Sequence, residues 1–563
     1  MGVTWPGGEI RLDRDAAGRV VRERQIVAGV EHRVESIYDR EGERVLRKTS
    51  LGHTEAIERG PSGERRRTVL DGRVVVDHAS DLLGREVARA LPGGGRIESA
   101  YDVFGRVERR RTVGPAREVR VGPGEPAWVG PRPANVTLDM AYRYDPVGEL
   151  SAAWDQGRGW TSYRYDPVGQ LLARAPEQAR AEVFRYDPAG NSYEAGPGAV
   201  PREHGRGNRL VRKGNTRYLW DAEGRLAEKW EEDPATGARR AWKYTWDLAG
   251  LLESVTTPEG ERIEFRYDPF ARRVEKRVGE APASSLNAFR PRSVTRFVWD
   301  GDVLVHEISQ MAQPDGKLSA VEVKTYCFED GGFAPVAHSD GGGWFHYVND
   351  PIGTPERLVD DRGEVACELR REAWGRTETA PGARTSTAIR FPGQYEDPET
   401  GLCYNRFRYY VPDARRFISS DPIGLLGGIN TYAYVRNPLR WLDPLGLADP
   451  GLPELVAAFE KTYPGRPYSS GHLRKHSDGR DLEIDFETDN AIIEVKGGAG
   501  KGLGRQVKDR RDCKINPQGK PVIGYSASSL GKHSRSEIEK QGGIAADRRD
   551  LDVLMAAIAP DPK

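Results

Sequence analysis

Short stretches in which apolar and polar residues alternate run along the chain up to about residue 447. Tyr142-Arg143-Tyr144 is one example, with aromatic side chains at alternate positions just before a turn. Alternation with this period is typical of β-strands that bury one face. The pattern stops after Leu447, where Leu455, Val456 and Phe459 have helical spacing instead.

The alternating stretches lead into a repeated turn signal, an aromatic residue followed by Asp and, three positions after the Asp, by Gly. The copies, of which the last two are weaker, are Tyr38-Asp39, Tyr101-Asp102, Tyr144-Asp145, Tyr165-Asp166, Tyr186-Asp187, Trp220-Asp221, Trp246-Asp247, Tyr267-Asp268 and Trp299-Asp300. Asp-Pro-x-Gly is typical of a type I turn, because Asp accepts a hydrogen bond, Pro fixes φ and Gly suits the fourth position. Each unit therefore predicts strand, turn and strand.

A single hairpin is only marginally stable in water, so the units must stack on one another. The repeats therefore predict a long, mostly antiparallel β-sheet. The alternative is a β-propeller, which also consists of short strands bounded by turns. Propeller blades need roughly 40–50 residues. Tyr144, Tyr165 and Tyr186 recur every 21 residues, which disfavours the propeller.

The repeats, together with a longer motif region after them, resemble the Rhs/YD-repeat family of polymorphic toxins. The matching segments in that region are His346–Pro355, Phe391–Tyr395, Glu399–Leu402, Tyr404–Tyr410, Arg416–Ser419, Asp421–Gly424 and Asp443–Leu447. The resemblance implies a spiralling β-shell that encloses a C-terminal toxin. It divides the chain into a YD-repeat shell (1–330), an Rhs core-associated region (331–447) and a toxin domain (448–563).

The same resemblance implies how such a protein is delivered. We expect secretion, often through the type VI system with its spike and chaperone proteins, entry into the cytoplasm of a target bacterium, and a cognate immunity protein. The chain starts within the repeats, without the delivery domains expected in this family and without a signal peptide, so it could be a truncated or processed piece.

Composition narrows the class of protein further. The 563 residues include 85 Lys and Arg against 85 Asp and Glu, so the formal net charge is zero and a globally basic nucleic-acid coat is disfavoured. The four cysteines are widely spaced, which argues against a disulfide framework or a CxxC metal site. No stretch approaches the roughly 18 apolar residues of a membrane span.

Two Asp-Pro-x-Gly copies at the junction, Asp421–Gly424 and Asp443–Gly446, have two interpretations. Local sequence predicts two ordinary type I turns. The family resemblance implies instead that Asp421 and Asp443 cut the chain between Leu447 and Ala448. Two neighbouring carboxylates do not easily both ionise, so one stays protonated as the acid while the other activates water. They titrate as a pair, and the sequence does not assign the individual roles.

The C-terminal region predicts a hairpin of Leu482–Glu487 and Ala491–Lys496, after a loop-like segment at 464–471. If Asp489 and Asn490 form a tight turn, Asp485 lies opposite Glu494 and Glu483 opposite Lys496. The functional interpretation is a site for Mg²⁺ or Mn²⁺ that polarises a phosphate. The alternative is a solvated face with a surface ion pair. Val522–Ser526 predicts a further core strand and Leu551–Ile558 a closing helix.

This order of elements resembles the PD-(D/E)xK nucleases, which have a restriction-endonuclease-like α/β fold. The resemblance implies that Asp485 and Glu494 bind the metal and that Lys496 is the catalytic lysine. Gln506 matches a frequent glutamine of the family, and Glu460 could supply its helical acidic residue. Basic residues that could contact nucleic acid are Lys501, Arg505, Lys508, Arg510, Arg511 and Lys514. Taken alone, such a run is more often an exposed charged face.

Other functions stay open at this stage. His472 and His476 have the spacing of zinc ligands on a helix, although their loop-like flanks favour surface or phosphate contacts. A deaminase needs a His/Cys zinc cluster, and Cys513 is the sole cysteine after Leu447. A ribonuclease, or an adhesion protein with an inert tail, would also fit the pattern. DNA is the preferred substrate, but the sequence does not separate it from RNA.

Overall fold

The computed structural model describes residues 2–61, 63–115, 136–281, 289–313, 317–447, 469–475, 481–487, 492–496, 520, 522–526, 532–541 and 543–547. Most of these residues lie in β-strands, and the strands form four sheets. The largest sheet has 17 strands: Gly2–Trp5, Gly8–Arg14, Val20–Val27, Val30–Tyr38, Arg44–Thr49, Thr54–Arg59, Arg65–Leu70, Arg73–Ser80, Glu86–Ala90, Arg96–Tyr101, Val107–Val113, Val136–Tyr144, Leu150–Asp155, Gly159–Tyr165, Leu171–Pro176, Glu182–Tyr186 and Ser192–Glu194.

The second sheet has 16 strands and continues through residue 330 without a break. Its strands are Arg202–His204, Leu210–Lys213, Thr216–Trp220, Leu226–Glu232, Arg239–Trp246, Leu252–Thr256, Glu261–Tyr267, Arg273–Glu280, Pro291–Asp300, Val303–Met311, Glu322–Phe328, Pro335–Asp340, Gly343–Asn349, Pro355–Val359, Val365–Arg371 and Thr377–Thr379. The third sheet contains Tyr395–Asp397, Leu402–Asn405, Arg408–Val411 and Arg416–Phe417. Short 3₁₀ helices span Arg206–Asn208 and Gly424–Gly427.

Within these three sheets, successive strands pair antiparallel with one another. The hairpin of Val136–Tyr144 and Leu150–Asp155 is representative: Arg143 pairs with Ala152, and the register shifts at Tyr144. The predicted antiparallel array is therefore confirmed. Sheets of 17 and 16 strands rule out the propeller alternative for this part of the chain. The predicted division at residue 330 stays a prediction from sequence.

The repeated turn closes in the way its residue types predict. The Gly148 N–H donates to the Asp145 carbonyl at 3.0 Å, and the Asp145 carboxylate accepts from the N–H groups of Val147 (3.1 Å) and Glu149 (2.8 Å). Gly148 has a φ of +90°, a conformation that glycine tolerates and that residues with a side chain disfavour. The register shift at Tyr144 is a β-bulge, and it leaves N–H groups of the turn without a strand partner. The Asp145 carboxylate accepts hydrogen bonds from these groups.

The aromatic residue of each unit links neighbouring hairpins through its polar end. The Tyr165 hydroxyl donates to the Leu150 carbonyl at 2.8 Å, and the Tyr186 hydroxyl donates to the Leu171 carbonyl at 2.7 Å. The Trp246 indole N–H makes the equivalent bond to the Leu226 carbonyl at 2.8 Å. The position requires a ring with a donor at its far end, which explains why both Tyr and Trp occur there.

The third sheet packs against the second around a buried arginine. The Arg273 guanidinium lies 2.5 Å from the Asp397 carboxylate, and both side chains are almost completely shielded from solvent. Aromatic rings surround the cation, with Tyr404 centred 4.7 Å and Phe297 4.8 Å from it. The second sheet therefore fixes the third, and the third carries the candidate active site.

The C-terminal sheet contains Ser469–Lys475, Asp481–Glu487, Ile492–Lys496, Val522–Ser526 and Ile544–Asp547. The first three strands are antiparallel neighbours, whereas the last three run parallel. Helix Lys532–Lys540 lies in the parallel connection. The predicted strand Val522–Ser526 is confirmed, and Ile523 is fully buried.

One local prediction in this region is wrong: residues 469–471 are strand, where a loop was expected. Ser469 pairs with Glu487, so a strand partner supplies the hydrogen bonds that the sequence alone could not indicate. His472 lies on the same strand, where it pairs with Ile484, and not on a helix. Within the described part of the chain, no helix is long and apolar enough to cross a membrane.

Candidate active site

Three chain segments meet beside the third sheet. Strand Arg408–Val411 supplies Arg408, the turn that begins at Asp421 continues into the 3₁₀ helix Gly424–Gly427, and the turn that begins at Asp443 leads to Leu447. Both predicted turns form: the Gly424 N–H donates to the Asp421 carbonyl, and the Gly446 N–H donates to the Asp443 carbonyl. The same two aspartates also belong to the site.

One guanidinium nitrogen joins the two aspartates. Arg408 Nη2 lies 2.9 Å from Asp421 Oδ2 and 3.1 Å from Asp443 Oδ2. All three side chains are buried, with 1% or less of each exposed. The structure therefore brings together the two carboxylates that the family resemblance paired, and it adds a cation between them.

Burial and charge act in opposite directions at this site. Burial raises the pKa of the Asp421 carboxyl above its ordinary value, and the Arg408 charge only partly opposes that rise. Burial also lowers the pKa of the Arg408 guanidinium, against the effect of the two aspartates. An aspartate whose pKa is raised is more readily protonated, as a general acid must be.

The segment that precedes the predicted cleavage point is held residue by residue. The Leu447 N–H donates to Asp443 Oδ1 at 2.7 Å, so this catalytic candidate contacts the residue on the amino side of the predicted cleavage point. The Asn405 amide donates to the Asp443 carbonyl at 2.7 Å, and the Phe407 N–H donates to the Leu445 carbonyl at 3.1 Å. Arg408 Nε donates to the Gly446 carbonyl.

Two glycines allow the close approaches in the site. Gly446 has a φ of +72°, and a Cβ at that position would lie 2.7 Å from the Asn405 carbonyl oxygen. A Cβ on Gly427 would lie 2.2 Å from Asp421 Oδ2. Side chains at either position would displace the dyad or the segment that it faces.

A buried carboxyl pair of this kind is suited to acid–base chemistry. Asp421 and Asp443 are a buried carboxyl pair, and Leu447 lies within hydrogen-bond distance of one member. Ala448, on the other side of the predicted cleavage point, lies outside the described residues. Arg408 and Asn405 were not predicted as site residues, although both belong to the Tyr404–Tyr410 motif. Asn405 and Arg408 contact Asp443 across 38 and 35 residues of sequence, so no local pattern could identify them.

The predicted nuclease residues are only partly described. Phe486 pairs with Ile493 and Glu487 with Ile492, the register from which Asp485 was predicted to lie opposite Glu494. The side chains of Asp485, Glu494 and Lys496 lie outside the described part. So do the predicted residues Glu460, Lys501, Arg505, Gln506, Lys508, Arg510, Arg511 and Lys514. Among the described side chains there is no group of three or more His, Cys, Asp or Glu that could hold a metal ion.

The chain is similar to a known protein family and to several known proteins. The family model described as Teneurin YD-shell matches residues 136–428, slightly more than half of the chain. Double-stranded DNA deaminase toxin A of Burkholderia cenocepacia (strain H111) is 34% identical over 460 residues, which cover 78% of this chain and 30% of that protein. Probable deoxyribonuclease RhsB of Dickeya dadantii (strain 3937) is 32% identical over 412 residues, which cover 71% and 26%.

Among solved structures, the crystal structure of TcdB2-TccC3-TEV is similar with a TM-score of 0.54 at 20% identity. The match covers 78% of this chain and 24% of that one, and it establishes similarity of fold. The chain thus spans less than a third of the length of these two curated relatives.

Proposed function

The chain belongs to the Teneurin YD-shell family, and from this premise we propose that it is part of a secreted interbacterial Rhs toxin that cuts itself after Leu447. The observation that carries the proposal is the buried group formed by Asp421, Asp443 and Arg408 beside the Leu447 N–H. The relatives named as a DNA deaminase toxin and as a probable deoxyribonuclease favour the same class of function.

The proposed reaction is hydrolysis of the Leu447–Ala448 peptide bond. One carboxylate accepts a proton from water as the oxygen attacks the Leu447 carbonyl carbon, and the protonated partner donates its proton to the Ala448 nitrogen. The products are a carboxylate at Leu447 and a free amine at Ala448. Arg408 keeps the two aspartates adjacent and holds the Gly446 carbonyl, so the bond stays next to the dyad.

Self-cleavage is tested with Asp421→Asn and Asp443→Asn in the full chain. Each variant removes one proton-transfer group with little change in size, so we expect a single full-length band on a denaturing gel, where the unmodified chain yields two. Mass spectrometry of the smaller product should place its first residue at Ala448. Continued cutting after Leu447 in either variant would eliminate the dyad mechanism.

For the released region, 448–563, we propose a metal-dependent nuclease that acts on DNA. The antiparallel hairpin followed by parallel strands around helix Lys532–Lys540 is compatible with the PD-(D/E)xK resemblance, and the register of the hairpin favours Asp485 opposite Glu494. In this proposal Asp485 and Glu494, with Glu460, hold Mg²⁺ or Mn²⁺, while Lys496 and Gln506 assist catalysis. The bound ion would polarise the phosphate and lower the pKa of a water.

The nuclease proposal predicts that the fragment starting at Ala448 cuts plasmid DNA with Mg²⁺ and not with EDTA. Glu494→Ala should abolish cutting, whereas Glu487→Ala, on the neighbouring strand, should retain it. RNA in a parallel reaction distinguishes a ribonuclease. If neither nucleic acid is cut and the full chain does not cleave itself, the adhesion alternative is favoured. A cognate immunity protein and the type VI spike and chaperone remain the expected partners.

A further inference from the structure

Asn405 lies next to the dyad and takes no part in the proposed proton transfers. It ends strand Leu402–Asn405 and is completely buried. Its Nδ2 donates to the Asp443 carbonyl at 2.7 Å. Among the described residues its Oδ1 has no hydrogen-bond partner. Buried acceptors are generally paired, and an ordered water can supply the partner that the protein does not.

The orientation of the Asn405 amide follows from its surroundings. Rotating the amide by 180° would direct Oδ1 at the Asp443 carbonyl, where two acceptors would face each other. Nδ2 therefore belongs on Asp443, and the unpaired oxygen lies on the other branch of the same amide. That oxygen lies beside the backbone of Asp443. The Asp443 carboxylate binds Arg408 and the Leu447 N–H.

The bond from Asn405 is one of three that hold the segment before the cleavage point. The Phe407 N–H and Arg408 Nε hold the next two carbonyls, those of Leu445 and Gly446. The bond from Asn405 fixes Asp443, the member of this segment that carries a reacting group. Loss of this bond would leave the Asp443 carbonyl with the longer 3.3 Å bond from the Gly446 N–H, so Asp443 and the carboxylate that accepts from Leu447 would be held less firmly.

We propose that Asn405 is a positioning residue for self-cleavage: its Nδ2 fixes Asp443, and its Oδ1 accepts a hydrogen bond from the water that attacks Leu447. This inference rests on the proposed self-cleavage and deepens it. Asn405 takes no proton in the reaction. The water proton still passes to the dyad, and the Ala448 nitrogen still receives its proton from the protonated carboxyl.

The test uses the pH profile of self-cleavage in Asn405→Asp. At neutral pH the ionised side chain has no donor and repels the Asp443 carbonyl, so we expect the rate to fall at least tenfold. On acidification the protonated carboxyl regains one donor and one acceptor. The rate relative to the unmodified chain should then rise towards one. A role limited to filling space would give a ratio independent of pH.

Asn349→Asp is the matched control. Asn349 is also buried, its Nδ2 donates to the Pro335 carbonyl at 2.9 Å, and its Oδ1 also has no partner among the described residues, but it lies on strand Gly343–Asn349 of the second sheet. We expect its cleavage rate to follow that of the unmodified chain at every pH. A flat ratio for Asn405→Asp, or the same profile in both variants, would overturn the inference and leave self-cleavage standing.

Circular dichroism shows whether Asn405→Asp folds. If it does not, Asn405→Ser is the second variant for the same test. The hydroxyl of Asn405→Ser is too short to reach both partners, so we expect a loss of at least tenfold at every pH. An unchanged rate in this variant would overturn the inference. If the unmodified chain itself is not cut after Leu447, the proposed function and the inference are both wrong.

Discussion

Replacing Arg408 with methionine tests whether the cation sets the working pH of the dyad. Methionine keeps much of the length and apolar volume of the arginine stem and removes the charge that lies between Asp421 and Asp443. The two buried carboxylates would then face each other with no counter-charge. Because like charges in one site oppose joint ionisation, the pair would hold a proton to higher pH.

The magnitude follows from the two contacts of 2.9 and 3.1 Å. An opposite charge at such distances lowers a carboxyl pKa by about 1–3 units, and each unit corresponds to about 1.4 kcal/mol. Burial already raises the pKa of Asp421, so loss of Arg408 acts in the same direction. We therefore expect the acid limb of the cleavage profile to move up by about 1–3 pH units.

The assay measures the fraction of chain cut after Leu447 at a fixed time between about pH 4 and pH 9, where carboxyl groups with ordinary and raised pKa values titrate. Arg47→Met is the matched control, because Arg47 is also buried and contacts two carboxylates, Glu55 at 2.7 Å and Asp300 at 3.2 Å. Its cleavage profile should not move. An unshifted profile and unchanged rate for Arg408→Met would refute the electrostatic reasoning.

Three further predictions concern the sheets. Tyr165→Phe removes the donor to the Leu150 carbonyl and should cost about 0.5–1.5 kcal/mol in denaturant unfolding; no loss would argue against the linking role of the ring. Asp397→Ala leaves Arg273 buried without its partner and should cost about 3–5 kcal/mol, whereas Arg273→Met with Asp397→Leu should recover most of it. Burial lowers the pKa of His306 to about 3. The folded state then binds fewer protons than the unfolded one, so stability should fall between about pH 6.5 and pH 3 by up to about 1.4 kcal/mol per unit, and His306→Gln should flatten this slope.

The strand-and-turn architecture was predictable because its determinants are local. The Asp145 carboxylate bonds to N–H groups two and four residues ahead, and Gly148 adopts the positive φ within the same turn. Such contacts can be inferred from residue order alone. The role of the aromatic ring was not predicted, because the Tyr165 hydroxyl bonds to a carbonyl fifteen residues earlier, on another hairpin.

The candidate site shows where local inference stops. Sequence predicted the turns at Asp421 and Asp443, and the family resemblance paired them. Arg408 and Asn405 gave no local signal, because each acts on a residue that only folding brings near. Residues 469–471 were misassigned for a related reason: their strand exists through its pairing with Asp481–Glu487.

Residue order dictates the repeating hairpins, since turn chemistry and side-chain alternation act within a few residues. The tertiary structure alone decided that two turns 22 residues apart share one guanidinium in a buried, solvent-excluded site. Burial and charge contact depend on which distant surfaces meet, and here Arg408 of the third sheet meets the turns at Asp421 and Asp443.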